Sequence, residues 1–446
     1  MRSLLRNVDA SWLRMDDPDN LMVVTGVLVL DAPVPVDRIR ALLERRLLRF
    51  RRFTSRVVPP VAGLGVPSWE PDPDFSLDHH LTVVRLGPGA GEPALQAFVS
   101  GLLSEPFPEG RPLWTLHFIE HFRGGSALVA RIHHCIGDGL ALVHVLLSMA
   151  DGIPEPESRR ARPSASWGIT LGRRVVQGAA AVLDRPGRIG DLARLASSST
   201  SSLLRLLALP ADPPTALKGA LGARKTAAWS RAFDLGEFKT IGRATGSTVN
   251  DVLMTALAGA LRCSLLRRGE LPGDLEVRAV VPVNLRGPEA AGRLGNRFGL
   301  VFLALPVGID DPLDRLFEVR RRMRALKSSA QALAVYQVLW AMGAAPRPVF
   351  DLALRIFASK GTAVVTNVVG PRETISIAGA PLRQAMFWVP SAGKLALGVS
   401  LLSYAGKVWM GLQCDAAIVP DPDVLLGGFE AEVASLRELC REAADG

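Results

Sequence analysis

Cysteine is scarce in this chain: four occur in 446 residues, at positions 135, 263, 414 and 440. They form no CxxC pair and no zinc-ligand spacing, which excludes a disulfide scaffold and a zinc module and fits reduced thiols in a cytoplasmic protein. Tyrosine is scarcer still, with 2. No RRM-like aromatic signature or C2H2 spacing accompanies it, so nucleic acid is not expected as a partner. Long apolar runs are missing too. The longest uncharged stretch, Ser328 to Pro346, holds Gln331, Tyr336, Gln337 and much alanine. That is too polar for a membrane span and suits a buried or interfacial helix. The first residues lack the continuous apolar stretch of a secretory signal, so export is not expected. GxSxG, GxxxxGKS/T and GxGxxG are absent, which disfavours a serine hydrolase, a P-loop enzyme and a Rossmann reader.

What the chain has in excess is positive charge. Its 52 Lys and Arg against 43 Asp and Glu leave a net +9, nearly all carried by arginine and widely spread. An anionic membrane or an anionic substrate would use that balance. At 48% hydrophobic and 21% charged residues the composition is globular, and the length suits two or three core-forming units at about 150 residues each.

Strand and helix patterns alternate through the first 150 residues. Leu21 to Leu30 is β-branched and apolar, as in a buried strand, and Val36 to Arg49 sets leucines among arginines like an amphipathic helix. Leu113 to Phe122 and Ser126 to His134 read as strands joined by the turn Arg123-Gly124-Gly125, with a short helix from Gly139 to Met149. Between about 151 and 224 the character changes to a crossover. There Arg173, Arg174, Arg185, Arg188, Arg194 and Arg205 punctuate apolar residues, as in helices packed on a domain surface or a basic amphipathic face for anionic lipid. The alternation then resumes: a helix at Val249–Arg262, strands at Glu276–Val283 and Leu300–Leu305, and a charged helix at Pro312–Leu326. Further strands fall at Thr362–Val369, Gln384–Val389 and Leu395–Tyr404, and a helix from Asp423 to Glu442 closes the chain. The expected architecture is α/β, with two mixed halves joined by a long helical crossover. Residues 1–155 make the first lobe, 156–225 the crossover and 226–446 the second lobe. The strand near Leu395 to Tyr404 is the candidate to cross back to the first.

The chemistry-bearing stretch is Arg131-Ile-His133-His134-Cys135-Ile-Gly137-Asp138-Gly139, where a strand gives way to a helix. Strand parity sends His133 and His134 to opposite faces, so one imidazole can face a cleft. Asp138 and Gly139 suit a sharp turn, and Asp138 also suits a helix cap. Metal binding is disfavoured, because adjacent histidines diverge and no third ligand sits at helical spacing. Cys135 points away from His134 and makes a poor nucleophile. His79-His80 is a histidine pair with no acidic turn after it.

His133-His134-Cys-Ile-Gly-Asp138-Gly139 resembles the HHxxxDG motif of the CoA-dependent acyltransferase superfamily. The companion motifs resemble one branch, the bacterial wax ester synthase/diacylglycerol acyltransferases. They are Pro112-Leu113-Trp114, Asn250-Asp251, Val281-Pro-Val-Asn-Leu-Arg286 with Gly295-Asn296-Arg297, and Thr366-Asn367-Val-Val-Gly370-Pro371, with Val8-Asp9-Ala and Asn20-Leu-Met-Val near the start. The likeness runs in order from about residue 6 to about 425. Val369 stands where the family usually has Pro, and Lys218 where it usually has Asn.

The resemblance implies a chloramphenicol-acetyltransferase-like fold of two lobes with the reaction at their interface and no acyl-enzyme. It makes His134 the general base that activates an acceptor hydroxyl toward the thioester of a fatty acyl-CoA, which is a co-substrate; no cofactor or metal is implied. His133, Asp138 and Gly139 complete the catalytic motif: His133 orients the loop, and Asp138 faces away from substrate and pairs with an arginine of the second lobe, Arg286 being the expected partner. Pro112, Leu113, Trp114, Asn250, Asp251, Asn367 and Gly370 are the residues expected to shape the substrate site. The acceptor is a long-chain alcohol or a diacylglycerol, met by a cytoplasmic protein peripheral to the inner membrane or to lipid inclusions. A condensation-like enzyme using a carrier-bound thioester, and a catalytically silent lipid-surface protein, are the alternatives.

Overall fold

The computed structural model describes residues 2–60, 65–152, 205–270, 273–286, 294–327, 329–391 and 393–445. The elements of the first half are β1 (Ser3–Leu4), α1 (Asn7–Arg14), β2 (Val23–Leu30), α2 (Val36–Leu42), β3 (Ser55–Val58), β4 (Ser68–Pro71), β5 (Leu81–Val84), α3 (Glu92–Leu102), β6 (Trp114–Phe122), β7 (Gly125–His133) and α4 (Gly139–Met149). Then come β8 (Lys225–Trp229), β9 (Phe233–Asp234), α5 (Leu235–Thr245), α6 (Val249–Arg267), β10 (Val277–Asn284), β11 (Phe298–Leu305), α7 (Pro312–Lys327), α8 (Gln331–Ala344) and α9 (Arg347–Ser359). The chain closes with β12 (Ala363–Val369), β13 (Ser376–Ile377), β14 (Ala380–Trp388), β15 (Leu397–Tyr404), β16 (Lys407–Asp415) and α10 (Pro422–Asp445). Most of the expected crossover, 153–204 with its first five punctuating arginines, lies outside the described residues; Arg205 is described and exposed.

Two mixed sheets organise the molecule. The first runs β13-β14-β2-β7-β6-β5 and the second β11-β10-β12-β15-β16-β8, with β9 on β16. A small sheet of β1, β4 and β3 stands apart. Residues of β2 are buried on both faces, which is why it reads as a continuous apolar run. The β6–β7 turn puts Arg123 and Gly124 at φ 51° and 81°. A Cβ on Gly125 would lie 1.9 Å from the Leu30 carbonyl oxygen, so only glycine lets β7 start against the end of β2. The helix expected over Val36–Arg49 stops being α-helical at Leu42. A wider π turn, Leu43–Leu47, buries both of its end leucines.

The lobes are not contiguous in sequence. β14 pairs antiparallel with β2 from Trp388↔Thr25 to Leu382↔Leu30, so a strand from the second half completes the first sheet. The strand expected to cross back, Leu397–Tyr404, does not. It sits inside the second sheet, parallel to β12 and antiparallel to β16. Both strands are apolar, and apolarity specifies burial but not the sheet that provides it.

Each lobe has its own core, and a third apolar cluster lies between them. It gathers Val8, Trp12 and Met22 from the first lobe with Val280, Phe298 and Phe302 from the second. α6 is the one helix among the described residues long and apolar enough to cross a membrane, and most of it is buried in the second lobe's core.

Candidate active site

The strand β7 delivers the paired histidines to the seam. His133 closes the strand, and the His134 N–H donates to Met22 O at 2.8 Å just beyond it. The two imidazoles diverge, as strand parity requires. His133 Nδ1 accepts the Cys135 N–H at 3.1 Å, and its Nε2 faces Asp16 Oδ1 at 3.6 Å. Burial disfavours charge on His133, while Cys135 and Asp16 push its pKa up. The N–H accepted at Nδ1 is a bond that only the neutral ring can make.

His134 turns the other way, into the inter-lobe cluster. It stacks on Trp12 at 4.1 Å between centroids and lies 5.7 Å from Phe298. Burial lowers its pKa from 6.5 to about 4, because desolvation disfavours the charged ring. Its Nδ1 and the Oδ1 of neighbouring Asn296 are buried polar atoms without a hydrogen-bond partner.

Asp138 does two things at once. Its Oδ1 accepts the Ala141 N–H at 3.0 Å and caps α4. Its Oδ2 takes the Arg286 guanidinium at 2.7 Å and the Arg297 N–H at 2.9 Å. Both oxygens are thus committed to the helix start and to the second lobe, so the carboxylate is a strut between lobes. A parallel bridge between Gly137 and Gly295 adjoins it, with Gly295 N–H donating to Ile136 O at 3.1 Å. The sharp turn assigned to Gly139 is not there: Gly139 opens α4, and a Cβ on it would meet nothing within 4 Å. Gly137 is the tight position, its Cβ falling 3.1 Å from that of Ala141.

A second strut joins two of the quoted motifs through Asp9 and Asn296, whose roles the motifs did not give. Asp9, fully buried on α1, accepts from Arg52 Nη2 at 2.8 Å through Oδ2. Through Oδ1 it accepts from Asn296 N and Nδ2 at 2.8 and 2.9 Å. Asn296 Nδ2 also donates to His134 O at 2.8 Å. Arg52 Nη1 donates to the Cys135 and Ile136 carbonyls, both at 2.9 Å. Three successive carbonyls of the histidine loop are therefore pinned. An acid in the apolar context Val8-Asp9-Ala10 was the available signal for Asp9; Arg52, one of five nearby arginines, had none.

The other expected site residues scatter. Trp114 lies in the first lobe's core, stacked on His80 at 4.4 Å and donating from Nε1 to Phe53 O at 2.8 Å. Pro112 is buried beside it, and Leu113 O accepts the His133 N–H at 2.9 Å. These three brace the strand that carries the histidines. Asn250 and Asn367 are brought together, Asn367 Nδ2 donating to Asn250 Oδ1 at 2.8 Å. Thr248, not Asn250, caps α6, and Asp251 completes a reciprocal capping box with it. Gly370 N–H donates to Ser403 O at 2.7 Å, and a Cβ there would lie 2.9 Å from that oxygen. Lys218 reaches the carbonyls of Asp212 and Ser359, both at 3.3 Å, and Val369 is exposed.

A neutral imidazole in an apolar, two-lobed seam can accept a proton from a hydroxyl and return it to a leaving group. Comparison with known proteins identifies the family. Residues 5–253 match the wax ester synthase/diacylglycerol acyltransferase catalytic domain, and residues 294–437 match the WS/DGAT C-terminal domain. A probable diacylglycerol O-acyltransferase of Mycobacterium tuberculosis (strain H37Rv) is 27% identical over 444 residues, covering 97% of this chain and 95% of that protein. The solved wax ester synthase/diacylglycerol acyltransferase from Marinobacter aquaeolei superposes with a TM-score of 0.69 at 21% identity, covering 98% of this chain and 99% of that one. The starter condensation domain of rhizomide synthetase, solved with C8-CoA and Leu-SNAC, does so with 0.64 at 13% identity, covering 98% and 94%. The chain belongs to the wax ester synthase/diacylglycerol acyltransferase family and is an acyltransferase.

Proposed function

We propose that the chain moves a fatty acyl group from acyl-CoA to the hydroxyl of a long-chain alcohol or a diacylglycerol, with His134 as the general base and no acyl-enzyme. The observation that carries this reading is the buried His134 ring held at the lobe seam against Trp12, beside an apolar cluster drawn from both lobes. The acceptor O–H gives its proton to the imidazole as its oxygen attacks the thioester carbonyl. The C–S bond then breaks, and the CoA sulfur takes the proton back. A pKa near 4 keeps the ring unprotonated at pH 7 and makes it a weak base, so positioning and oxyanion stabilisation carry much of the barrier.

Long acyl chains suit the inter-lobe cluster. Its outer neighbours suit a lipid surface: Trp340 of α8 and Val349 and Leu352 of α9 are each more than half exposed. Water-insoluble substrates favour a protein resting there peripherally, next to the membrane or lipid inclusion that holds them. The C8-CoA held by the rhizomide condensation domain is the same class of donor. No cofactor enters this chemistry.

The test is release of the CoA thiol from palmitoyl-CoA with hexadecanol or a diacylglycerol present. Acceptor-dependent release with matching ester product is expected, and the ratio of the two rates ranks wax ester against triacylglycerol synthesis. Absence of release with both acceptors would overturn the donor or the acceptor class.

A further inference from the structure

An arginine-rich surface beside the histidine loop takes no part in the chemistry above. Arg45, Arg46, Arg49, Arg51 and Arg52 fall within eight residues that hold no acid, with Glu44 just before them. The segment lies along α4. Arg46 Nη1 donates to Ser148 O at 3.0 Å near the far end of that helix, and Arg52 holds the carbonyls of Cys135 and Ile136 just before its start. Between these points His144 projects from α4 and is exposed, as are Arg45 and Arg49. After burial, the charges of Arg49 and Arg286 are what hold the His144 pKa below its ordinary value, a sign of a positive local field. α4 itself carries no acid.

We propose that this surface binds the phosphates of the acyl-CoA donor, with Arg45, Arg46, Arg49 and His144 meeting the 3′-phosphate and pyrophosphate while the pantetheine arm runs along α4 to the thioester beside His134. The inference rests on the acyl-CoA reading. Arginine suits the task because its planar fork pairs with phosphate oxygens two at a time. The lengths agree. From Asp138 to Ser148 the helix rises roughly 15 Å. The arm from sulfur to phosphorus has about thirteen bonds, which at the ~1.2 Å per bond of an extended backbone reach about 16 Å. Open space at Gly139 leaves room for the arm to pass the helix start.

The experiment compares wild type with an Arg45→Ala/Arg49→Ala/His144→Ala variant on palmitoyl-CoA and on palmitoyl-pantetheine, which lacks the phosphates. The variant should raise KM for palmitoyl-CoA roughly ten- to hundredfold, as expected for losing charge-assisted hydrogen bonds. It should leave kcat, the KM for acceptor and all turnover of palmitoyl-pantetheine unchanged. An equal loss on both donors, or an unchanged KM for palmitoyl-CoA, overturns the proposal. Calorimetric binding of free CoA separates this claim from the reaction itself. If neither donor is turned over, weaker CoA binding by the variant still upholds the surface, and equal binding rejects it. Loss of binding to phosphatidylglycerol vesicles with CoA affinity intact would assign the arginines to lipid headgroups and overturn the proposal.

Discussion

His134 sits where its environment resists charge, and the sign of that effect is testable. Between pH 6.5 and about 4 the unfolded chain binds a proton that the buried ring refuses, so this residue withdraws stability as pH falls through that window. For catalysis the same shift moves the acid limb. We expect kcat/KM to stay level from pH 7 to about 5 and to drop only near 4, in a pH–rate profile with acyl-CoA limiting. A limb near 6.5 would mean that the ring is solvated in the working enzyme. The glycines beside it separate by space. Gly139→Ala should fold as wild type, its added Cβ entering open space, and should raise KM if substrate uses that room. Gly137→Ala, pressed against Ala141 at 3.1 Å, should lower the urea midpoint by roughly 1–3 kcal/mol of stability.

At the scale of elements, α1 and α4 do most to hold the seam. α1 supplies Asp9 and Trp12 and also reaches α8, where Ser11 Oγ donates to Leu339 O at 2.6 Å. Asp9→Ala leaves the Arg52 charge without its buried partner and should cost about 3–5 kcal/mol in urea unfolding. A near-neutral result would show that the pair is not a structural strut. Here the reach of sequence reading is visible. The β6–β7 hairpin and the histidine loop were legible, because turn chemistry and strand parity are local. So was part of the second half's alternation, from α6 to the closing helix, but α9 and the interior strand β16 were not among the expected elements. α1 was too short and mixed to declare itself as a helix. Trp12, Arg52 and Phe298 entered the site through contacts between distant segments, which no local pattern encodes. Asn250 was expected at the substrate site; it lies in the first turn of α6, which Thr248, with the extended backbone that a cap needs, begins.

Across the whole molecule, β14 binds the halves together. It covers β2 along the edge opposite β7, so the first sheet is incomplete without a strand from residues 380–388. The two Asp struts, Asp138–Arg286 and Asp9–Asn296, cross the seam as well. A fragment ending at residue 225 should therefore expose the β2 edge and aggregate, while the full chain unfolds in one transition; light scattering and calorimetry distinguish the cases. The two-lobed plan was readable from the alternation of elements, and a returning strand was expected, but at Leu395–Tyr404 and not at β14.

The central claim is that a base at the seam, His134, drives acyl transfer. Its most direct test is the initial rate of ester formation from palmitoyl-CoA, wild type against His134→Ala, with circular dichroism showing that both are folded. The account predicts a fall of roughly 10²–10⁴ in kcat for a folded variant, as expected for losing a general base. A folded variant that still makes ester at the wild-type rate would contradict it.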